Sequence, residues 1–404
     1  MIRCYTVLLF WMGAVIGKEG YFWHISDIHY DPRYSFHSNG RCWSDNSDLS
    51  HTRMKDKISK AGIYGNYNCD PPWLLVESAA KAMKANHGDD IEFVLWTGEL
   101  RLHYLENLTR LMSHTFTDQF VFPVLGHEDM NLNLSQIANL WRNWLPDEAL
   151  VTLRKHGYYT IEQRSKKYQI ISLNTNLWMD PNFLLENREA NHRAILGNVA
   201  SGVAGVVAAA TAESDPSNQW QWFSSVLDTA RRKGKVVYIA GHTPPGVDDR
   251  ETGGVMGLSE EHNARYLQLV QQYSDIIRGQ FFGHWHSDTF RIVYNDLDKP
   301  VSWIMATPSI TPYRSGGPNN PGLRLYKFES DTGQVLDYAQ YYLDLARANS
   351  DKRANWQLEY NLREHYSLTE ITPSSLNDLA DRFTRPRDNA FARYYEANRV
   401  KVNR

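Results

Sequence analysis

Between residues 21 and 345, short apolar runs alternate with stretches of helical periodicity. Tyr21–Ile25, Phe93–Trp96, Phe120–Leu125, Val236–Ala240 and Gln280–Phe282 are too short for helices and read as buried strands. Gln169–Leu173 is a further strand. Pro72–Asn86 reads as a helix opened by proline in its first turn. Leu105–Phe116, Leu134–Trp144, Gln219–Arg232 and Glu260–Tyr273 have helical spacing, and Val301–Ala306, Leu323–Phe328 and Val335–Tyr342 read as strands of a second sheet. The alternation predicts an α/β fold: a two-sheet α/β/β/α sandwich, sheets facing and helices outside. Thr369–Val400 is charged and helical in pattern. We divide the chain into a leader (1–17), a catalytic domain (18–345) and a C-terminal helical extension (346–404). Residues 194–212 are almost all Ala, Gly and Val and carry no chemistry.

Each of the five runs ends in a polar cluster. These are Asp27-Ile28-His29, Gly98-Glu99, Gly126-His127-Glu128-Asp129, Gly241-His242-Thr243-Pro244 and Gly283-His284-Trp285-His286. A glycine at a strand end lets the backbone turn sharply and aim the next side chain inward. On extended backbone, Asp27 and His29, and likewise His284 and His286, would share one face. A lone histidine is more often a core or surface residue. Five strand ends delivering imidazoles and carboxylates to one place instead predict a two-metal centre.

Bulk properties narrow the class. The formal net charge is −3 and no basic block occurs, which argues against nucleic acid as the partner. Arg3 followed by the apolar Cys4–Ile16 reads as a signal peptide, too short to span a bilayer. No later stretch is apolar enough to span, and the polar C-terminus lacks a lipid-anchor signal. The expectation is a secreted, extracellular monomer. Cys42 and Cys69 would then pair as a disulfide, and Asn107 and Asn133 sit in glycosylation sequons.

The order D-x-H, G-D, G-N-H-D/E, G-H, G-H-x-H resembles the calcineurin-like binuclear metallophosphoesterases. The flanks narrow the resemblance. Phe22-Trp23-His24-Ile25-Ser26-Asp27-Ile28-His29, Ile171-Ser172-Leu173-Asn174-Thr175-Asn176-Leu177, Gly279-Gln280-Phe281-Phe282-Gly283-His284 and Asn319-Asn320-Pro321-Gly322-Leu323-Arg324 are similar to the acid sphingomyelinase-like phosphodiesterases. The resemblance runs from Tyr21 to Phe383. It implies that Asp27, His29 and His286 hold one Zn2+, that His242 and His284 hold the other, and that Glu99 bridges them. It also implies a phosphodiester, nucleotide or phospholipid head-group substrate. The expectation is a member without the saposin domain and the cysteine-rich C-terminal end that some of the family carry.

Two motifs depart from the family. Glu99 stands where the family has Asp, and the loop after it is shortened. In Gly126-His127-Glu128-Asp129, one alignment puts His127 in the slot of a ligand Asn and Glu128 in that of a catalytic His. With one deletion, His127 is itself the catalytic His. Trp178 and Tyr313 are candidates to line the site and stack on a base or pack on choline, with core or surface positions as the alternative. The expected function is a zinc-dependent phosphodiesterase with an altered site. The alternative is an inactive secreted binding protein on the same fold.

Overall fold

The computed structural model describes residues 18–35, 62–99, 102–129, 132–162, 166–180, 214–250, 256–314 and 317–402. The expected signal peptide, Cys42 and the 194–212 segment lie outside them. In chain order the strands are β1 (Glu19–Ile25), β2 (Ile91–Trp96), β3 (Phe120–Pro123), β4 (Tyr159–Glu162), β5 (Tyr168–Ser172), β6 (Val236–Ala240), β7 (Ile277–Phe282), β8 (Thr289–Tyr294), β9 (Pro300–Ala306), β10 (Gly322–Glu329), β11 (Val335–Leu343) and β12 (Trp356–Asn361). The helices are α1 (Trp73–His87), α2 (Leu102–Thr115), α3 (Leu134–Leu140), α4 (Asp147–His156), α5 (Gln219–Arg232), α6 (Glu260–Gln272), α7 (Leu345–Asp351), α8 (Leu362–Tyr366), α9 (Pro373–Phe383) and α10 (Ala390–Asn398).

The strands form two six-stranded sheets, ordered β12-β11-β10-β1-β2-β3 and β4-β5-β6-β7-β9-β8. They face each other across an aromatic core. Phe22 of β1 stacks on Phe93 of β2 at 4.7 Å and meets Phe281 of β7 edge-on at 5.4 Å. Along β6, Tyr238 and Ala240 join this inner core, while Val237 and Ile239 join an outer one with Trp220 and Phe223 of α5 and Tyr266 of α6. That is the period of two expected for a strand buried on both faces. The α/β/β/α sandwich follows directly from this layering.

Two assignments change. β10 and β11 belong to the first sheet: β10 runs antiparallel to β1, with Phe22 opposite Tyr326 and Trp23 opposite Leu325, and β11 pairs with β10. Apolar alternation shows that a strand is half or fully buried, not which sheet it joins. The 346–404 segment is helical only in part. It contributes β12, which extends the first sheet beyond β11, while α9 packs on β8 and β9. No helix among the described residues is long and apolar enough to cross a membrane.

Candidate metal centre

β1, β2 and β3 run parallel, as do β5, β6, β7 and β9. The polar clusters all follow the carboxyl ends of such strands, where open α/β sheets build their sites. Asp27, His29, Glu99, His284 and His286 have positive φ, between 47° and 68°. Such non-glycine residues cost of order 1–3 kcal/mol each and persist where the surroundings over-determine them. The i, i+2 pairs therefore converge through left-handed turns beyond the strand ends, not through extended alternation. Space matters as much as turning: a Cβ on Gly283 would lie 1.8 Å from Ser26 Oγ and 2.7 Å from Asp27 Oδ2.

Two histidine-rich triads result. The ligand atoms of Asp27, His29 and His286 lie within 4.8 Å of one another, and so do those of His127, His242 and His284. Asp27 Oδ1 is 3.4 Å from His286 Nε2, 3.8 Å from His29 Nε2 and 4.0 Å from His242 Nδ1. Glu99 links the triads. Its Oε1 is 2.6 Å from His127 Nδ1 and 2.8 Å from His242 Nε2, and Asp27, Glu99 and His242 form a further close set. Glu128 joins His29 and Glu99 in a fourth. All eight predicted site residues thus converge. His127 lies with His242 and His284, and Glu128 with His29 and Glu99.

The main chain orients the imidazoles. His242 Nδ1 lies 2.8 Å from the Thr97 carbonyl and His286 Nδ1 2.8 Å from that of Tyr313. A carbonyl only accepts, so each Nδ1 carries the proton and each Nε2 is left to ligate. Asp27 Oδ2 accepts the His284 backbone N–H at 2.9 Å, leaving Oδ1 for the site.

The donor set fits a pair of cations. Asp27 Oδ1, His29 Nε2 and Glu99 Oε2 are buried without a hydrogen-bond partner, which native interiors rarely tolerate. The electrostatics agree. Burial alone would raise both carboxylates, but His286 and His29 hold Asp27, and His127 and His242 hold Glu99, well below the usual range. Against its burial, His29 rises to about 10 through Asp27, Asp70, Glu128 and Glu99, and His242 to about 9 mainly through Glu99. His284, buried beside His127 and His242, is pushed well down.

One contributor, Asp70, carried no signal in the sequence, and two others, Asn176 and Asp129, lie in motifs quoted above without a role assigned to them. Asp70 is buried, 4.0 Å from His29 Nδ1, and accepts a hydrogen bond from Thr311. Asn176 donates to the Gly126 carbonyl at 2.7 Å, and Asp129 accepts the Gly126 N–H at 2.7 Å. Trp178 takes the core alternative: it is buried and stacked on Trp220 at 3.9 Å. Tyr313 meets the site through its carbonyl. Cys69 is buried, and its expected partner Cys42 lies outside the described residues. Asn107 and Asn133 are exposed, and Asn133 also caps α3.

Comparison with known proteins gives a consistent answer. The family described as acid sphingomyelin phosphodiesterase C-terminal region matches residues 299–404. Cyclic GMP-AMP phosphodiesterase SMPDL3A of Bos taurus is 33% identical over 93% of this chain and 82% of its own length. Acid sphingomyelinase-like phosphodiesterase 3b of Homo sapiens is 31% identical over 97% and 85%. Sphingomyelinase phosphodiesterase C of Dictyostelium discoideum is 30% identical over 89% and 81%. With strand-end ligands, two linked triads and this extent of similarity together, the chain belongs to the acid sphingomyelinase-like family of phosphodiesterases.

Proposed function

We propose that this protein is a secreted, zinc-dependent phosphodiesterase whose altered centre still holds two metals. Asp27 Oδ1 carries the reading: it is buried without a hydrogen bond, yet three imidazole nitrogens surround it at 3.4–4.0 Å. Asp27, His29 and His286 would hold one ion, His127, His242 and His284 the other, and Glu99 would reach both. The nitrogen-rich set suits zinc. Bound metals would supply Lewis-acid stabilisation of the phosphoryl oxygens. The chain's own task is orientation: the carbonyls of Thr97 and Tyr313 fix the ligand tautomers. In this reading Glu128, half-buried beside His29 and Glu99, would give a proton to the leaving oxygen. The relatives' names favour a nucleotide-type or sphingomyelin-like phosphodiester. A Cys42–Cys69 disulfide, glycans on Asn107 and Asn133 and a monomeric state complete the proposal for an extracellular enzyme.

A second reading is a binding protein without turnover. Its support is Glu99 Oε1, already engaged by His127 Nδ1, His242 Nε2 and the His127 backbone N–H at 2.6, 2.8 and 2.9 Å. Protons shared there take the place of a metal. Metal analysis of the purified protein, with hydrolysis of bis-p-nitrophenyl phosphate at mildly acidic and neutral pH, separates the two. About two zincs per chain with chelator-sensitive turnover support the enzyme. One metal or none, without turnover, leaves the binding protein.

A further inference from the structure

A cavity of about 590 Å³ lies between β12, α8 and α10, and none of its lining residues belongs to the metal centre. Its size falls in the range of about 300–1,000 Å³ common for small-ligand sites. Charge dominates its wall. Glu359 comes from β12, Glu364 and His365 from α8, Arg393 and Glu396 from α10, and Lys401 from the turn beyond.

Three carboxylates and two cations on one wall would be expected to pair with each other. Among the described residues no ion pair joins any of them. The Arg393 guanidinium donates instead to the His365 carbonyl, and Lys401 Nζ lies 5.3 Å from the Tyr342 ring centre. Glu359 Oε2 and His365 Nε2 are both buried without a hydrogen-bond partner, which native interiors rarely tolerate. Burial, with Asp288 nearby, pushes the Glu359 carboxyl well above the usual range, against the weaker pull of Lys401 and Arg324. Burial and the charge of Arg393 push His365 down, so near pH 7 its ring is neutral and one nitrogen accepts.

The chemistry that would satisfy this wall can be narrowed. A divalent cation needs several ligand atoms close together, and among the described residues such sets occur only at the metal centre. A quaternary ammonium has no N–H to give to Glu359 or His365. A primary ammonium has three, and its charge favours the ionised form of Glu359. An amine alone would still face the like charges of Arg393 and Lys401. A carboxylate on the same molecule would answer them.

We propose that the cavity between β12, α8 and α10 binds a small zwitterion of the α-amino-acid type. Its ammonium is held at Glu359 and His365, and its carboxylate at Arg393 and Lys401.

The test is equilibrium dialysis of the full-length protein against radiolabelled glycine, which carries both charges and little else. The expected result is a single saturable site. Unlabelled L-alanine competes for it, whereas trimethylglycine, which lacks the N–H donors, does not. Glu359→Gln keeps the size of the protonated acid but cannot ionise, so the Kd should rise about tenfold or binding be lost. Lys401→Gln removes the partner of the carboxylate and should weaken binding similarly. It serves as the test variant if Glu359→Gln does not melt cooperatively. Absence of saturable glycine binding to the wild-type protein would overturn the proposal. So would competition by trimethylglycine equal to that by L-alanine, or an unchanged Kd in both variants, which would put the glycine elsewhere.

Discussion

Arg324 Nη2 and Asp288 Oδ1 stand 2.5 Å apart, with the arginine side chain wholly buried and that of Asp288 5% exposed. Asp288 lies two residues beyond His286, so this pair ties the metal loop to β10. Tyr360 of β12 donates to Asp288 Oδ2, Asn398 of α10 donates to its carbonyl at 3.2 Å, and the Arg324 guanidinium lies 4.1 Å from the Tyr338 ring centre of β11. The C-terminal strands and helix thus end on the residue that follows the ligand loop.

Removing one member of a buried pair leaves an uncompensated charge, which costs about 3–5 kcal/mol. Asp288→Asn should lose stability of that order in urea unfolding, and its zinc content should fall with it. The double replacement Asp288→Leu, Arg324→Met should recover most of the stability, since apolar pairs often substitute well. If the loop depends on Asp288, the double variant will still bind zinc weakly. Full zinc content in both variants would make the network merely structural.

The centre was legible because its chemistry repeats: a His, an Asp or a Glu follows an apolar run five times over. What the sequence hid was the backbone. Asp27 and His29 meet through φ values of 50° and 47°, a conformation Asp and His adopt only occasionally, and no local pattern announces it. The roles of Asp288, Arg324 and Asp70 were equally hidden, because each acts through a partner distant in sequence. The sheet membership of β10 depended on its register against β1, a long-range fact that alternation does not encode.

Gly283 tests the packing behind the ligands. A methyl group there would press on Ser26 Oγ and Asp27 Oδ2. Both are fixed: Ser26 donates to the Thr97 carbonyl at 2.9 Å and Asp27 accepts from His284. Overpacking of this kind costs about 1–3 kcal/mol. Gly283→Ala should lower Tm and cut zinc to about one per chain or less. Unchanged zinc stoichiometry would show that the loops can separate without loss of the site.

Stability of the metal-free protein should peak near neutrality. His29 and His242 are raised to about 10 and about 9 from an ordinary 6.5. Their stabilisation is complete below about 6.5 and disappears as pH climbs through 9 to 10. His284 and His24 are lowered by burial, so their contribution is present above about 6.5 and lost as pH falls. Asp27 and Glu99, held down, lose theirs at still lower pH. The signs combine to a maximum near pH 6.5, with decline on both sides. Metal displaces the protons, so metal-loaded protein should gain most on the alkaline side. Melting curves from pH 4 to 10, with and without chelator, check this. A metal-free Tm that holds flat from pH 7 to 10 would mean the two imidazoles are not protonated together.

His127 and Glu128 are adjacent and should fail differently. His127 stacks along His242 at 5.4 Å and meets His284 edge-on at 4.8 Å, as a third ligand would. His127→Ala should therefore lose one of two zincs and with it turnover. Glu128 groups instead with His29 and Glu99, and the proposed function gives it the role of general acid. Glu128→Gln keeps its size and removes the proton, so zinc should stay near wild type while kcat falls by about 10²–10⁴, the usual worth of a general acid. The sharper readout is the leaving group. An activated phenol such as p-nitrophenol needs little protonation, so the loss in Glu128→Gln should be small with bis-p-nitrophenyl phosphate and large with an alkyl diester. Equal losses on both substrates would remove Glu128 from the acid role, and zinc retention in His127→Ala would return the histidine to it.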